Sequence, residues 1–269
     1  MNRRFSLTDL AAGIPDGASL ALGGSFLHRG PFAMVRELVR QGRRDLEIIK
    51  QSPGYDIDLL CRAGAVKKAR VGIVAMEGYF GLAPWYRHAV QAGEITLEEH
   101  ACASLTAGLR AAAFGAPFQP CGGIFGSELA VINGWKEVED PYGSGQSTFL
   151  IPKIQPDFAI IHVNEVSEEG DIRVFGTSHW DRLMTRAAKS VLVVAERCVP
   201  AKAFQERPEL TLAPHFMVDG FAVVERGAWP GSCWPDYGID YAEIERYMNS
   251  KDRDVSSFID HVEGAGAES

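Results

Sequence analysis

The sequence predicts an α/β protein: an open, mainly parallel sheet of about seven strands with helices on both faces. Three observations carry that expectation. Short apolar runs such as Phe158-Ala159-Ile160-Ile161-His162-Val163 recur along the chain, and such runs suit strands buried on both sides. Segments with helical spacing separate them, as right-handed crossovers between parallel strands require. Glycine or proline punctuates the junctions between segments.

In chain order, Ser6-Leu7-Thr8-Asp9 has the form of a capping box and opens a short helix. Pro15-Asp16-Gly17 is a turn. Ser19-Leu20-Ala21-Leu22 reads as a strand that ends in Gly23-Gly24. Pro31 suits a first helical residue; Phe32, Val35, Leu38 and Val39 follow at helical spacing, and Gly42 can end that helix. Residues 46–49 give a second strand. Asp56 can cap a helix carrying Ile57, Leu60 and Cys61, stopped by Gly64. Residues 71–76 read as a third strand, and Trp85 and Val90 mark a helix ending near Gly93. Residues 98–114 read as one long alanine-rich helix. Residues 118–124 read as a strand, and 137–148 as a loop or excursion. The remaining apolar runs, 158–163, 191–195 and 221–224, complete the sheet. One domain is expected over residues 1–247, followed by a polar tail over 248–269 that frays at its end.

Composition excludes several classes. At 269 residues, with 46% hydrophobic and 23% charged residues, the chain is an ordinary globular sequence, neither disordered nor fibrous. Its formal net charge of −8 argues against a nucleic-acid binder. It contains no apolar run of signal-peptide or membrane-spanning type, so a cytoplasmic location is expected. Cys61, Cys102, Cys121, Cys198 and Cys233 are odd in number and widely spaced, as reduced thiols would be. No pair of cysteines or histidines has zinc-ligand spacing, so no metal is expected.

Ligands of an open parallel sheet bind at the carboxyl ends of its strands. That rule selects four segments. In Gly23-Gly24-Ser25-Phe26-Leu27-His28-Arg29-Gly30-Pro31, the paired glycines allow backbone N–H groups to approach a ligand, and Arg29 could clasp a carboxylate. Met76-Glu77-Gly78 offers a carboxylate for acid–base or orienting work. Gly122-Gly123-Ile124-Phe125-Gly126-Ser127-Glu128 offers glycines and a hydroxyl, with Glu128 a weak candidate for a nucleophile. In Phe175-Gly176-Thr177-Ser178-His179-Trp180-Asp181-Arg182, the plainer reading is a helix cap by Ser178 or Asp181. His162, inside an apolar strand, reads as a core histidine. The basic residues 40–44 and Lys67-Lys68 read as solvated helix ends.

The order of certain motifs resembles the A (alpha) subunit of a family I coenzyme A transferase, of the glutaconate CoA-transferase type. They are Leu20-Ala21-Leu22-Gly23-Gly24-Ser25-Phe26; Arg29-Gly30-Pro31; the run from Asp58 to Lys67; Ala92-Gly93-Glu94-Ile95; the run from Leu109 to Phe118; and Pro156-Asp157-Phe158-Ala159-Ile160-Ile161-His162-Val163. The resemblance implies a fold shared with sugar-phosphate isomerases. It also implies a separate B subunit, commonly in a two-plus-two tetramer, whose glutamate attacks an acyl-CoA and passes through a glutamyl-CoA thioester. Coenzyme A would then be a co-substrate, with no bound cofactor. The B-side motif Ser-Glu-Asn-Gly does not occur in this chain, so the nucleophile is expected on the partner. By the family's pattern, Ser25, Phe26, Arg29, Glu77, Gly78, Gly126 and Ser127 would line the acyl pocket, with Gly23 and Gly24 near coenzyme A. Two alternatives stay open. One is a CoA-thioester or ring-opening hydrolase of the steroid-degradation type, with Glu77 or Glu99 as base. The other is a non-catalytic metabolite-binding module on the same fold.

Overall fold

The computed structural model describes residues 3–268, with side chains through residue 262. In chain order the elements are α1 (Leu7–Ala12), β1 (Ser19–Leu22), α2 (Phe32–Arg40), β2 (Leu46–Lys50), α3 (Tyr55–Arg62) and β3 (Val66–Val71). They continue through α4 (Glu77–Phe80), α5 (Pro84–Gln91), β4 (Thr96–Glu99), α6 (Cys102–Ala113), β5 (Phe118–Cys121), α7 (Leu129–Ile132), β6 (Lys136–Glu139) and β7 (Ser147–Pro152). The last part holds β8 (Phe158–Ser167), β9 (Ile172–Arg173), α8 (Asp181–Ala187), β10 (Ser190–Val199), α9 (Ala201–Glu206), β11 (Thr211–Ala213), β12 (Gly220–Val223), α10 (Tyr241–Asn249) and α11 (Ser256–Glu268).

Seven parallel strands form the central sheet in the order β12-β10-β8-β1-β2-β3-β4. β9 and β11 extend it with antiparallel pairing beside the far end of β8. The alternation of side chains along each strand divides the core in two. Leu20, Leu22, Ile48, Ile160 and Val194 face α2, α3 and the C-terminal helices. Ala21, Ile49, Ala159, Ile161 and Val193 face Leu105 and Leu109 of α6 and Met184 of α8. The expected fold, with helices on both faces, is the observed one.

Several local expectations are corrected. The third strand is 66–71, not 71–76. Val66, Ala69 and Val71 are buried while Lys67, Lys68 and Arg70 point outward, where Lys68 pairs with Glu98 and Arg70 with Glu47, both at 2.6 Å. Lys67 and Lys68 are therefore strand residues. The expected helix over 98–114 begins only at Cys102, because residues 96–99 pair with β3 as the edge strand β4. The excursion at 137–148 is part of a small antiparallel sheet ordered β5-β7-β6. The stretch after 248, expected as a frayed tail, buries Val255, Phe258, Ile259 and Val262 in the core. Phe258 lies 5.1 Å from the Tyr247 ring, and the Arg62 guanidinium rests over both rings. Among the described residues no helix is long and apolar enough to cross a membrane. All five cysteines are unpaired.

Candidate functional site

β1 is followed by β2, β3 and β4 on one side; the chain then returns to place β8, β10 and β12 on the other. The strand order thus reverses between β1 and β8, and their carboxyl ends flank the crevice where such sheets bind ligands. The segment Gly23–Pro31 lies over that crevice.

This segment is a tightly folded cradle. Gly24 has φ +72°, and a Cβ there would sit 2.4 Å from the carbonyl oxygens of both His28 and Arg29, so only glycine fits. The Ser25 N–H donates to the His28 carbonyl at 2.9 Å, and the His28 N–H donates back at 2.8 Å. Phe26 N–H donates to Ser52 O, and Arg29 N–H to Ser232 O, both at 2.7 Å. Gly54 is needed where three loops meet: a Cβ there would lie 2.7 Å from the Ala75 carbonyl and 3.2 Å from Phe26 backbone.

A buried ion pair fixes the cradle. The Arg29 guanidinium, on a residue only 4% exposed, donates to Asp181 Oδ2 at 2.5 Å, to the His162 carbonyl at 2.7 Å and to the Thr177 carbonyl at 3.0 Å. Asp181 Oδ1 accepts the Gly24 N–H at 2.9 Å. The Gly23 N–H is taken by the Ile160 carbonyl. The two glycines therefore spend their N–H groups inside the protein, and Arg29 turns its fork inward rather than toward a ligand. Asp181, expected as a helix cap, is instead the anchor of the cradle. Lys50, fully buried at the end of β2, holds the same loop from below through Gly23 O at 2.7 Å and Asp56 at 2.5 Å.

Glu77 meets the cradle from the third crossover. Its Oε1 lies 3.3 Å from the Leu27 N–H and 3.5 Å from His28 Nε2. Gly78 beside it has open space where a side chain would be. The other imidazole nitrogen of His28, Nδ1, lies 2.6 Å from Ser232 Oγ. Phe26, Arg29, Glu77 and His179 all have positive φ (48°, 53°, 59° and 46°), which for side-chain-bearing residues marks backbone held under strain by its surroundings. Such strain concentrates at functional sites.

A cavity of about 320 Å³ opens between the cradle and the 175–179 loop, lined by His28, Phe175, Thr177, His179, Ser232 and Trp234 among others. Asn164 fixes two of its walls, accepting the Phe175 N–H at 2.9 Å and donating to the Trp234 carbonyl at 3.0 Å. Burial, helped by the Arg29 charge, lowers the His179 pKa to about 4. His162 is the core histidine expected: fully buried, with Nε2 2.7 Å from Glu196. Glu196 also accepts from the Tyr237 hydroxyl and the Arg226 N–H. His162, Glu196 and Cys233 offer ligand-type atoms within 4.8 Å of one another, and the Glu196 carboxylate already has three hydrogen-bond partners here.

Ser25, Phe26, Arg29 and Glu77 are thus brought together. Gly126 and Ser127 belong to the turn before α7, where Ser127 Oγ donates to the Ile124 carbonyl at 2.8 Å. Among the described residues no hydrogen bond ties either to the cradle. Glu99 ends β4 beside an apolar groove with Val71, Tyr86 and Leu97. Sequence reasoning misses Ser232 and Trp234 as wall residues and Asn164 as the residue that positions Trp234 and Phe175. Ser232 lies 204 residues from His28, its partner in the cradle, and nothing local marks it.

Comparison with known proteins agrees with this fold. Residues 5–225 match the family model described as Coenzyme A transferase. The A-type chain of glutaconate CoA-transferase from Acidaminococcus fermentans is 28% identical over 92% of this chain and 82% of its own. The crystal structure of that enzyme superposes with a TM-score of 0.90, covering 96% of this chain and 88% of the other. A cholesterol ring-cleaving hydrolase IpdA subunit from Rhodococcus jostii is 32% identical over 93% of this chain and 87% of its own. An uncharacterized protein of Archaeoglobus fulgidus is 35% identical over 87% of this chain, which spans about half, 53%, of that relative's length. The chain belongs to the Coenzyme A transferase family.

Proposed function

We propose that this chain is the alpha component of a two-subunit enzyme that moves CoA between an acyl-CoA and a carboxylic acid. The nucleophilic glutamate resides on a B partner, with which the chain forms a two-plus-two assembly. The observation that carries this reading is the strained cradle at the strand-order reversal, which faces a cavity of acyl-group size. Its likeness to the corresponding chain of glutaconate CoA-transferase supports the same role. Ser25, Phe26, Glu77 and Gly78 wall the acyl group, while Gly23, Gly24 and Arg29 hold the wall in place. Gly126 and Ser127 join the wall on the family resemblance alone. Large apolar side chains around this end of the sheet, Ile73 at 62% exposure, Leu82 at 61% and Trp234 at 66%, support a docking surface for the partner.

On this reading the glutamate of the partner attacks the thioester carbonyl and CoA thiolate leaves; that thiolate then attacks the glutamyl carbonyl of the acyl anhydride, releasing the donor acid as its carboxylate. The enzyme glutamyl-CoA so formed passes CoA to the acceptor acid by the reverse steps. The test is co-expression with a B-type partner, native mass, and exchange of labelled CoA. A mixed complex that exchanges label supports the reading; a self-sufficient homo-oligomer that ignores the partner refutes it and favours a binding module.

A second reading is hydrolysis, favoured by the 32% identity to the ring-cleaving hydrolase. Glu77 or Glu99 would then act as base toward water. Loss of hydrolysis in Glu77→Gln or Glu99→Gln, without loss of the complex, supports it; activity retained in both refutes it.

A further inference from the structure

We infer that the cavity selects acyl groups whose remote end is uncharged, and discriminates against dicarboxylic acyl groups. The inference rests on the transferase reading above and names its substrate class. Among the residues lining the cavity Arg29 is the one lysine or arginine, and its guanidinium is committed to Asp181 and two carbonyls. The nearby Lys50 is fully buried and committed to Asp56 and Gly23 O. His179 stays neutral, since burial and the adjacent Arg29 lower its pKa to about 4. His28, the exposed imidazole of the wall, has the Glu77 carboxylate 3.5 Å from its Nε2.

The Arg173 and Arg197 guanidiniums, 5.8 and 6.0 Å from the Phe175 ring, are paired with Glu165, and Arg197 with Asp236 as well. A second carboxylate entering this space would leave water with no uncommitted lysine or arginine among these to receive it, and it would approach the Glu77 charge. A neutral acyl group meets better partners. Phe175 and Trp234 offer apolar faces, and Thr177 offers a hydroxyl to an oxo or hydroxyl oxygen.

The test uses the assembled complex, one donor thioester and matched acceptors: crotonate against glutaconate, and 3-oxohexanoate against 3-oxoadipate. Transfer to the neutral-ended member of each pair should have kcat/KM higher by about tenfold or more. Equal or faster transfer to the dicarboxylates overturns the inference. Glu77→Gln should raise kcat/KM for the dicarboxylates selectively, by about threefold or more, which a merely structural role would not do. Selectivity unmoved by that change overturns the charge argument. An assembled complex that transfers CoA to none of the four acids refutes the transferase reading instead. Equilibrium binding of the four CoA thioesters to the same complex then decides this inference, and tighter binding of the dicarboxylic thioesters overturns it.

Discussion

Asp181→Ala removes the carboxylate that holds the cradle. It leaves the Arg29 guanidinium, on a residue 4% exposed, with two carbonyls in place of an anion, and it strips the Gly24 N–H of its acceptor. Breaking one side of a buried ion pair costs about 3–5 kcal/mol. An orphaned buried N–H costs about 1–3 kcal/mol. The two costs overlap, because one relaxation of the loop serves both, so a loss of about 4 kcal/mol is expected. A domain of ordinary stability, about 5–15 kcal/mol, survives this but lies close to its unfolding threshold. Urea unfolding followed by tryptophan fluorescence measures the loss. The paired substitution Arg29→Met with Asp181→Leu should recover more than about half of it, since no unpaired charge remains. The double-mutant cycle should give a coupling of about 2 kcal/mol or more. A loss below about 1 kcal/mol for Asp181→Ala would place the pair among solvent-screened surface contacts and refute the reasoning.

Gly24→Ala and Gly64→Ala separate strain from collision. Both glycines have positive φ, but only at Gly24 does a Cβ meet backbone, at 2.4 Å; at Gly64 the space is open. The first change should cost about 3 kcal/mol or more and the second about 1–2 kcal/mol, and equal losses in denaturant unfolding would contradict the cradle geometry. Burial raises the Asp58 pKa from 3.8 to about 6, against hydrogen bonds from the Tyr86 N–H and the Tyr247 hydroxyl. The folded chain therefore holds that proton more tightly than the unfolded chain, so stability from this group falls as pH rises from 3.8 through 6. The penalty reaches about 3 kcal/mol at pH 7. Asp58→Asn should flatten the fall between about pH 4.5 and 6 and stabilise the chain at pH 7 by about 1–2 kcal/mol after the altered hydrogen bonding; unchanged pH dependence of urea midpoints would count against it. Phe258→Ala should cost about 3 kcal/mol, because the ring fills space beside Tyr55 and Tyr247. A melting temperature unmoved by that change would mean the C-terminal segment contributes nothing to the core.

The parts of the fold written in long apolar runs are legible in the sequence. Strands β8, β10 and β12 are largely buried on both faces where their apolar runs 158–161, 191–195 and 221–223 lie, and those runs make them legible. β3 escapes sequence reading because its composition, Val-Lys-Lys-Ala-Arg-Val, is half charged, while the more apolar 71–76 stretch leaves the sheet at Gly72. A Cβ at Gly72 would lie 2.6 Å from the Gln51 carbonyl. β4 hides inside an apparent helix because Thr-Leu-Glu-Glu carries no strand composition, and its pairing with β3 supplies what propensity lacks. The C-terminal segment reads as a tail because its apolar residues are few, and their burial depends on an aromatic cluster contributed by α3 and α10. At the site, the glycine-rich turn is visible and its internal wiring is not. Arg29 and Asp181 are 152 residues apart, and no local pattern tells a paired arginine from one that waits for a ligand.

The middle of the sheet is closed late. β1 is the fourth of seven parallel strands, yet its neighbour β8 is far downstream: Ser19 and Asp157, which bond across that junction, are 138 residues apart. A ribosome adding about 5–20 residues per second needs roughly 7–28 s to cover that interval. Throughout it, β1 has one edge without a partner, and exposed strand edges invite pairing with other chains. The face of β1 that carries Leu20 and Leu22 waits longer still, since Tyr247, Phe258 and Val262 belong to the same cluster. The nascent chain therefore makes its most protected strand the most vulnerable one, and the hazard ends only when the last helices are released.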